Sequence, residues 1–540
     1  MFSRPFTREP LPAIRYATFL LALIVTVPCF AQTYSVVATF ESNPHSMDSP
    51  GTQQIVQGRN GEIYAGTVAN GALFSASPLG TLAQVADNGG PQGVALGADG
   101  NLYTTVYFDR IGCGEVWKVT PSGTSTQIAS ICGTYGNGPT SAPVQAPNGL
   151  FYGTSSEMPS GGAGTIYSMT PAGTLNLIHQ FVYTDGSVPI APLTVGSDGN
   201  LYGGTRNGGI SNDGVLFKVT PSGAFTVLHN FSGTDGRDIE HALVLGRDGN
   251  LYGVTNNGGP ENIGVFFKMT NSGTYTALYN FIVTPYSGPN SSLVQGTDGN
   301  FYGLLGQGNG SQPGWIYSLT PSGQFAALYE FCQQSNCTDG IAPSTPLIQH
   351  TDGKFYGFTV HGGNQSLCSG DGCGVFFSLD MGLAPFVVLG APNGKEGAKI
   401  GIYGQRFTNA TTVSFGGTLA TTVARAGSTY LGATVPPEAL TGLVTVTTGS
   451  TKLTSSQVFK VTPTFVSFSP PSGSVGSQVT ITGTGLLQTT KVSFNGTLAT
   501  FTVNSDTQIT TTVPSGATTG RIGLATKGGT AVSAASFTVN

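Results

Sequence analysis

The chain consists of short runs of alternating apolar and polar residues, separated by turns rich in Gly, Asp, Asn and Pro. No stretch has the 3.6-residue apolar period of a long helix, whereas alternation over four to eight residues indicates a strand with one buried face. The runs are rich in Phe, Tyr, Val and Thr, which favour strands. The sequence therefore predicts an all-β protein.

One unit of about 40 residues occurs seven times, with successive copies mostly 50 residues apart. The copy at residues 243–281 predicts four strands, a to d, with the sequences LVLG, LYGVT, GVFFKMT and YTALYNF. A DGN turn joins strands a and b, a Gly-rich loop joins b and c, and an NSG turn joins c and d. Seven stacked four-stranded units predict a seven-bladed β-propeller. The tyrosines of strand b are Tyr64, Tyr103, Tyr152, Tyr202, Tyr252, Tyr302 and Tyr356.

The segment TYSVVATF at residues 33–40 matches only the end of a repeat. It aligns with strand d of later copies, such as AFTVLHNF at 224–231, but no strands a to c precede it. The seventh copy in turn has no strand d, because a different pattern starts at Phe386. We therefore predict that residues 33–40 complete the seventh blade beside 374–380 and close the ring. Residues 386–390 are expected to form the first strand of the following sandwich, and their placement in blade 7 would contradict this closure.

A second repeat follows the seventh copy. FVVLGAPNGKEGAKIGIYG, from Phe386, aligns with FVSFSPPSGSVGSQVTITG, from Phe465, at an offset of 79, and the match continues to VFKV and SFTV. This pattern predicts two tandem Ig-like β-sandwiches. The predicted domains are a propeller at 32–383 and sandwiches at 384–461 and 462–540.

Residues 1–31 have the pattern of a secretory signal peptide. Arginines precede an apolar run at 19–27, and small residues precede a cleavage position after Ala31. The run is short for a membrane span, so we expect no transmembrane segment in the mature chain. Lipidation of Cys29 is an alternative that Pro28 disfavours. An extracellular, periplasmic or outer cell-surface location is expected.

Charge and cysteine content agree with export. Only 9% of residues are charged and the net charge is −5 without a Lys/Arg cluster, which excludes a nucleic-acid-binding surface. Six cysteines follow residue 31, an even number typical of disulfides in an oxidising compartment.

Cysteine positions indicate three pairs. Cys113 and Cys132 face each other across the hairpin of the TPSGT turn. The position opposite Cys332 is Pro313, so its nearest partner is Cys337. Zinc binding is the alternative, but no CxxC pair or Cys/His cluster supports it. The predicted disulfides are Cys113–Cys132, Cys332–Cys337 and Cys368–Cys373.

Both repeats resemble known families. DGNLYGGTRNGG, GVLFKVTPSG and FTVLHNF resemble the bacterial Gloeobacter–Verrucomicrobia (GloVer) tandem repeats, which occur in exported proteins. The Pro-x-Ser-Gly-x-x-Gly opening, the VSFNG strand and the TTVPSG turn resemble IPT/TIG domains, with Asn393 of the first copy in place of Ser472. Neither resemblance implies a defined catalytic activity or a cofactor.

The d-to-a and b-to-c connections lie together on one face of the predicted propeller, hereafter the loop face. They are Gly-rich, longer than the turns of the opposite face, and vary in polar residues, as functional loops on a rigid scaffold do. Charged and titratable residues on neighbouring blades 4 and 5 predict a ligand-binding patch, with ordinary solvated loops as the alternative. The candidates are Arg206, Asp213, Arg237, Asp238, Glu240, His241 and Glu261.

We predict no catalytic residue, metal or cofactor. His179 and His229 occupy a strand d position that later copies fill with Tyr, and the Asp residues of the DG turns lack a calcium motif. A metal-dependent lyase or lactonase would need several His and carboxylate residues at the inner ends of strand a, where only Glu240 and His241 qualify.

The sequence therefore predicts a secreted or cell-surface binding or adhesion protein. Its partner is expected to be an extracellular glycan or a surface protein, and nothing in the sequence indicates an oligomeric state. A metal-dependent enzyme and a purely structural envelope or matrix protein are the alternatives.

Overall fold

A computed structural model describes residues 32–41, 53–67, 71–107, 112–157, 162–282, 288–306, 313–343, 345–409 and 411–540. The predicted signal peptide lies outside these ranges. The described residues form β-strands and three short 3-10 helices, at Gly133–Tyr135, Ser335–Cys337 and Cys368–Gly370, and contain no α-helix. None of their helices is long and apolar enough to cross a membrane.

Strands β1 to β29 form seven antiparallel sheets, the blades of the propeller. The first strand, β1 (Thr33–Thr39), belongs to blade 7. Blade 1 contains β2 (Val56–Gln57), β3 (Ile63–Gly66), β4 (Ala72–Ala76) and β5 (Leu82–Asp87). Blade 2 contains β6 (Pro91–Leu96), β7 (Leu102–Val106), β8 (Gly114–Val119) and β9 (Ser125–Ile131). Blade 3 contains β10 (Val144–Gln145), β11 (Phe151–Ser155), β12 (Thr165–Met169) and β13 (Leu175–Gln180).

The next four blades repeat this order. Blade 4 contains β14 (Thr194–Val195), β15 (Leu201–Gly204), β16 (Val215–Val219) and β17 (Phe225–Asn230). Blade 5 contains β18 (Val244–Leu245), β19 (Leu251–Val254), β20 (Val265–Met269) and β21 (Tyr275–Asn280). Blade 6 contains β22 (Val294–Gln295), β23 (Phe301–Leu305), β24 (Trp315–Leu319) and β25 (Phe325–Glu330). Blade 7 contains β26 (Ile341–Pro343), β27 (Ile348–Gln349), β28 (Phe355–His361), β29 (Val375–Asp380) and β1.

The pairing of β1 confirms the predicted ring closure. β1 lies antiparallel to β29, with Thr33 opposite Asp380 and Thr39 opposite Val375. The Phe40 N–H donates to the Gly374 carbonyl at 3.1 Å. The predicted place of residues 386–390 in the following sandwich is also confirmed, because β30 (Val388–Leu389) pairs with β32 of that sandwich.

Neighbouring blades are joined by stacked rings of their outer strands. Phe225 of blade 4 stacks on His179 of blade 3 at a centroid distance of 3.8 Å. Tyr275 of blade 5 stacks on His229 of blade 4 at 4.1 Å. These imidazoles therefore pack in the propeller wall, as predicted.

The DG turns hold the inner hairpins of the blades. The carboxylate of Asp248 caps its turn by accepting from the Asn250 backbone and side chain, at 3.1 and 2.7 Å. It also accepts from the hydroxyl of Tyr252, at 2.9 Å. The same tyrosine-to-aspartate bond occurs at Tyr103, Tyr202, Tyr302 and Tyr356.

The three predicted disulfides are present. The Cα–Cα distances are 5.0 Å for Cys113–Cys132, 4.0 Å for Cys332–Cys337 and 5.3 Å for Cys368–Cys373.

Two β-sandwiches with identical strand order follow the propeller. The first consists of β30, β31 (Asn393–Gly394), β32 (Lys399–Tyr403), β33 (Thr412–Phe415), β34 (Thr418–Leu419), β35 (Val423–Arg425), β36 (Tyr430–Thr434), β37 (Gly442–Thr448) and β38 (Thr451–Val461). The second consists of β39 (Thr464–Ser469), β40 (Ser472–Gly473), β41 (Gln478–Thr484), β42 (Thr489–Phe494), β43 (Thr497–Ala499), β44 (Phe501–Ser505), β45 (Gln508–Thr512), β46 (Gly520–Thr526) and β47 (Gly529–Val539).

The first sandwich contacts the face of the propeller that carries the DG turns. Thr429 donates through Oγ1 to the Arg59 carbonyl at 2.7 Å, and the Arg59 guanidinium lies 4.5 Å from the ring centroid of Tyr430. Gln405 donates to Thr351 Oγ1 at 2.8 Å. These contacts lie on the face opposite the loop face.

Candidate functional site

The candidate patch lies where three connections of blades 4 and 5 meet on the loop face. Residues 205–214 link β15 to β16, residues 231–243 link β17 to β18, and residues 255–264 link β19 to β20. The middle connection crosses from the outer strand of one blade to the inner strand of the next. Its side chains therefore reach the loops of both blades.

The Glu240 carboxylate joins the two blades. The Arg206 side chain donates through Nε to Glu240 Oε1 at 3.1 Å, and Asn256 donates through Nδ2 to Glu240 Oε2 at 3.0 Å. Burial raises the pKa of Glu240 and Asp238 raises it further, whereas Arg206 opposes the shift. The Arg206 side chain remains 52% exposed, so this pair presents a positioned guanidinium at the surface.

A second polar group lies beside the first. Asn257 donates through Nδ2 to Asp238 Oδ2 at 2.7 Å, and Arg237 Nε lies 3.8 Å from the same oxygen. The backbone supports this arrangement, since Arg237 N–H donates to the Asn257 carbonyl at 2.9 Å. Asp238 has a φ of +58°, a left-handed conformation that Asp tolerates better than most residues.

The remaining candidates are placed differently. His241 is 5% exposed, and within the described residues neither imidazole nitrogen forms a hydrogen bond with good geometry. Burial lowers the pKa of His241 to about 4, although the nearby Pro289 carbonyl opposes the shift, so the ring is neutral at pH 7. The Asp213 carbonyl accepts from Asp238 N–H at 3.3 Å. Glu261 is exposed and forms no hydrogen bond or ion pair with any described residue.

The structure therefore brings Arg206 to Glu240 and Arg237 to Asp238, and joins Asp213 through its backbone. His241 lies beneath the surface, and Glu261 stands apart. Sequence reasoning did not select Asn256 and Asn257, which orient both carboxylates. The sequence feature that could have identified these two residues is the pair of Asn residues at the start of the NNGG loop.

A metal centre would require further ligands near this patch. Within the part of the chain that the structure describes, no three His, Cys, Asp or Glu side chains lie close enough together to hold a metal ion. Glu240 and His241 therefore have no third ligand of these types among the described residues.

Family models match most of the chain. The model of the Gloeobacter/Verrucomicrobia repeat matches residues 90–296 and 241–405. The chain belongs to this repeat family. The IPT/TIG domain model matches residues 463–539, which is the second sandwich of this repeat-family protein. No curated protein matches the chain.

Several solved structures are similar to the repeat-family protein. A streptogramin B lyase is 14% identical, covers 65% of this chain and 97% of its own, and has a TM-score of 0.46. Virginiamycin B lyase from Staphylococcus aureus is 15% identical, with coverages of 65% and 98% and a TM-score of 0.46. A fungal alcohol oxidase of the AA5 family is 13% identical, with coverages of 94% and 100% and a TM-score of 0.47. Similarity at this level assigns no function.

Proposed function

We propose that this repeat-family protein is an exported binding protein without catalytic activity, whose loop face at blades 4 and 5 takes a glycan or a protein ligand. The observation that carries the proposal is the pair of Arg206 with Glu240 across the blade boundary. A guanidinium that is oriented by a carboxylate, yet half exposed, can donate further hydrogen bonds to a ligand without losing much side-chain entropy.

The architecture supports a binding or adhesion role. A propeller and Ig-like sandwiches both present loops on rigid β scaffolds, and the first sandwich contacts the propeller face opposite the patch. The first sandwich therefore does not cover the loop face. The two sandwiches would act as a spacer or as a second binding unit.

We further propose that residues 384–461 form a second IPT/TIG domain. The strand order of this sandwich, β30-β32-β36-β35 and β31-β38-β37-β33-β34, repeats in the matched sandwich as β39-β41-β45-β44 and β40-β47-β46-β42-β43. The sequence match at an offset of 79 gives the same correspondence.

Export is supported by two features. The N-terminal sequence has the pattern of a signal peptide. Three disulfides are typical of proteins from oxidising compartments. The mature chain would then start at Gln32, one residue before β1.

The enzyme alternative has less support. A metal-dependent lyase or lactonase needs accessible ligands, but the His241 side chain is buried. Within the described residues no third ligand completes a site.

The proposal is tested with residues 32–540 on an array of glycans and on columns of bacterial cell-wall polysaccharide. We expect retention by the wild-type chain and at least a tenfold weaker interaction when Arg206→Ala is combined with Arg237→Ala, because two oriented charged donors are lost. Lys218→Ala is the matched control, since Lys218 lies in blade 4 at the opposite end of strand c.

Three outcomes would contradict the proposal. Equal loss in the Lys218→Ala control would indicate a general charge effect. Metal-dependent turnover of a lactone or ester by the wild-type chain would favour the enzyme. Absence of retention on glycans and of any extracellular protein partner would favour a structural role in an envelope or matrix.

A further inference from the structure

A polar cleft lies on the loop face between blades 6 and 7, on different blades from the Arg206–Glu240 patch. Its volume is about 420 Å³. The end of β1, the connection from β25 to β26 and the loop from β28 to β29 form its walls. The lining side chains are Thr39, Asn336, Thr338, Asn364, Gln365 and Ser366.

Covalent and backbone bonds hold the walls in place. The Cys332–Cys337 disulfide closes one wall and the Cys368–Cys373 disulfide closes the other. The Gly363 N–H donates to the Cys337 carbonyl at 3.0 Å and so joins the two walls. A cleft with fixed walls loses little conformational entropy when a ligand binds.

One wall has an unusual backbone conformation. Asn336 and Cys337 have φ values of +57° and +46°, in the left-handed region that non-glycine residues seldom adopt. Such residues persist where the surrounding structure holds them, and they concentrate at ligand-binding sites. Here the disulfide and the bond to Gly363 hold the turn that carries the Asn336 side chain.

The chemistry of the lining is uniform. All six side chains carry a carboxamide or a hydroxyl, and none is charged or aromatic. Among the described residues, the carboxamides of Asn336 and Gln365 form no hydrogen bond. The Asn364 Oδ1 atom accepts from Ser366 N–H and Oγ, at 3.1 and 2.7 Å, which fixes its orientation. Each carboxamide offers two N–H donors and one acceptor oxygen.

We propose that this cleft binds an uncharged polyhydroxylated ligand, namely a neutral segment of a polysaccharide. Adjacent sugar hydroxyls both donate and accept, which matches a carboxamide that presents N–H and C=O side by side. An anionic ligand would find no cation in the lining, and an apolar ligand would find no wholly apolar side chain there. The inference rests on the proposed function, which makes the loop face a ligand-binding surface. The inference adds to that proposal a ligand class and a second site on the same face.

The test measures binding of residues 32–540 to soluble polysaccharides by affinity electrophoresis, with dextran, mannan and laminarin as neutral probes and alginate and heparin as acidic ones. The cleft variant combines Asn336→Gly with Gln365→Ala. Glycine keeps the left-handed backbone of position 336 while removing the carboxamide. Gln333→Ala is the control, because Gln333 is exposed in the same disulfide-closed turn but does not line the cleft.

We expect wild type and Gln333→Ala to bind a neutral probe equally, and the cleft variant to bind it about tenfold more weakly, since two neutral hydrogen bonds are lost. Melting temperatures of the variants check folding, and Gln365→Ala alone repeats the test if the double variant unfolds. Unchanged affinity of the cleft variant overturns the inference, as does binding of acidic probes only or of no probe.

These outcomes separate the two proposals. If Arg206→Ala with Arg237→Ala abolishes binding while the cleft variant does not, the cleft inference fails and the proposed function stands. If no polysaccharide probe binds but a protein ligand is retained through the Arg206–Glu240 patch, the cleft inference also fails and the proposed function also stands. Absence of both glycan and protein binding would instead overturn the proposed function.

Discussion

In both blade 5 and blade 7 the outer strand stacks an aromatic ring on the preceding blade, but of these two blades only blade 5 is one continuous segment. In blade 5 the ring of Tyr275 stacks on His229 of blade 4 at 4.1 Å. In blade 7 the ring of Tyr34 stacks on Tyr329 of blade 6 at 3.8 Å. The Tyr34 hydroxyl donates to the carbonyl of Asp339, 305 positions later in the chain.

This difference shows which interactions position an outer strand. In blade 5 a tight turn tethers β21 to β20, whereas in blade 7 no turn links β1 to β29. The conformation is nevertheless the same, so side-chain and ladder contacts suffice to define it. The cost is entropic, because an untethered strand gains freedom when it dissociates.

Of the changes that test this comparison, deletion of residues 32–40 should have the largest effect on stability. The deletion exposes the edge of β29 and the apolar cluster around Phe74 and Phe358, and exposed edges promote association between molecules. We expect aggregation, or a melting temperature lower by about 10 °C or more. Size-exclusion chromatography and thermal melts against residues 32–540 measure it, and an unchanged monomer would show that β1 is dispensable.

Single large-to-small substitutions compare the untethered strand β1 more sharply with a tethered outer strand, that of blade 4. Phe40 is 0% exposed and packs edge-on to Phe74 at 5.3 Å, and its counterpart in blade 4, Phe231, is 1% exposed. Either change to Ala should cost about 3–5 kcal/mol. Because β1 is untethered, only Phe40→Ala should remove hydrogen-exchange protection from residues 33–39. Equal loss of β1 protection in Phe231→Ala would contradict the comparison.

A smaller effect is expected from Gln57, which links blade 1 to blade 7. Its Oε1 accepts from Thr351 N–H at 3.1 Å and its Nε2 donates to Thr351 Oγ1 at 2.9 Å. Gln57→Ala should cost about 1–3 kcal/mol, because a buried N–H is left unpaired. Gln295→Ala, which removes the similar bond to Arg247 N–H at 3.0 Å, is the control.

A double-mutant cycle distinguishes ring closure from ordinary blade packing. Gln57→Ala and Phe40→Ala should be non-additive in melting experiments, since both act on the closure between blades 1 and 7. Gln295→Ala and Phe40→Ala should add, because their sites share no partner. Additivity of the first pair would mean that closure is not a cooperative unit.

Periodicity was sufficient to predict the blades, the sandwiches and the closing strand. A strand alternates with period two, so Tyr34 and Phe40 could be aligned with Phe225 and Phe231 without structural knowledge. The hairpin register likewise predicted the Cys113–Cys132 disulfide.

The loops were less predictable, because their conformations depend on individual bonds between blades. Sequence reasoning found the Arg206 and Glu240 charges but not Asn256, whose amide bonds to Glu240 across 16 positions. It also treated His241 as a surface candidate, although the structure buries its ring. The cleft at Asn336 was missed because it combines three segments that no repeat period relates.

The smallest predicted effect concerns the DG turn of blade 7, where His350 replaces the glycine that precedes the turn in blade 5. Burial alone would raise the pKa of Asp352. The His350 imidazole, 3.0 Å from the Asp352 carboxylate, and the hydrogen bonds from Lys354 N–H and the Tyr356 hydroxyl have a larger, opposite effect. The pKa of Asp352 is therefore below 3.8. The unfolded chain therefore binds more protons near pH 3, so this stabilisation is present above about pH 4 and is lost as the pH falls through the folded value.

Asp352→Asn should lower stability by about 1 kcal/mol at pH 7 and by less at pH 3. Thermal melts at both pH values measure this, with Asp248→Asn in blade 5 as the control. The blades differ in this respect if Asp352→Asn has the larger effect at pH 7, whereas equal effects would show that His350 adds nothing to the turn.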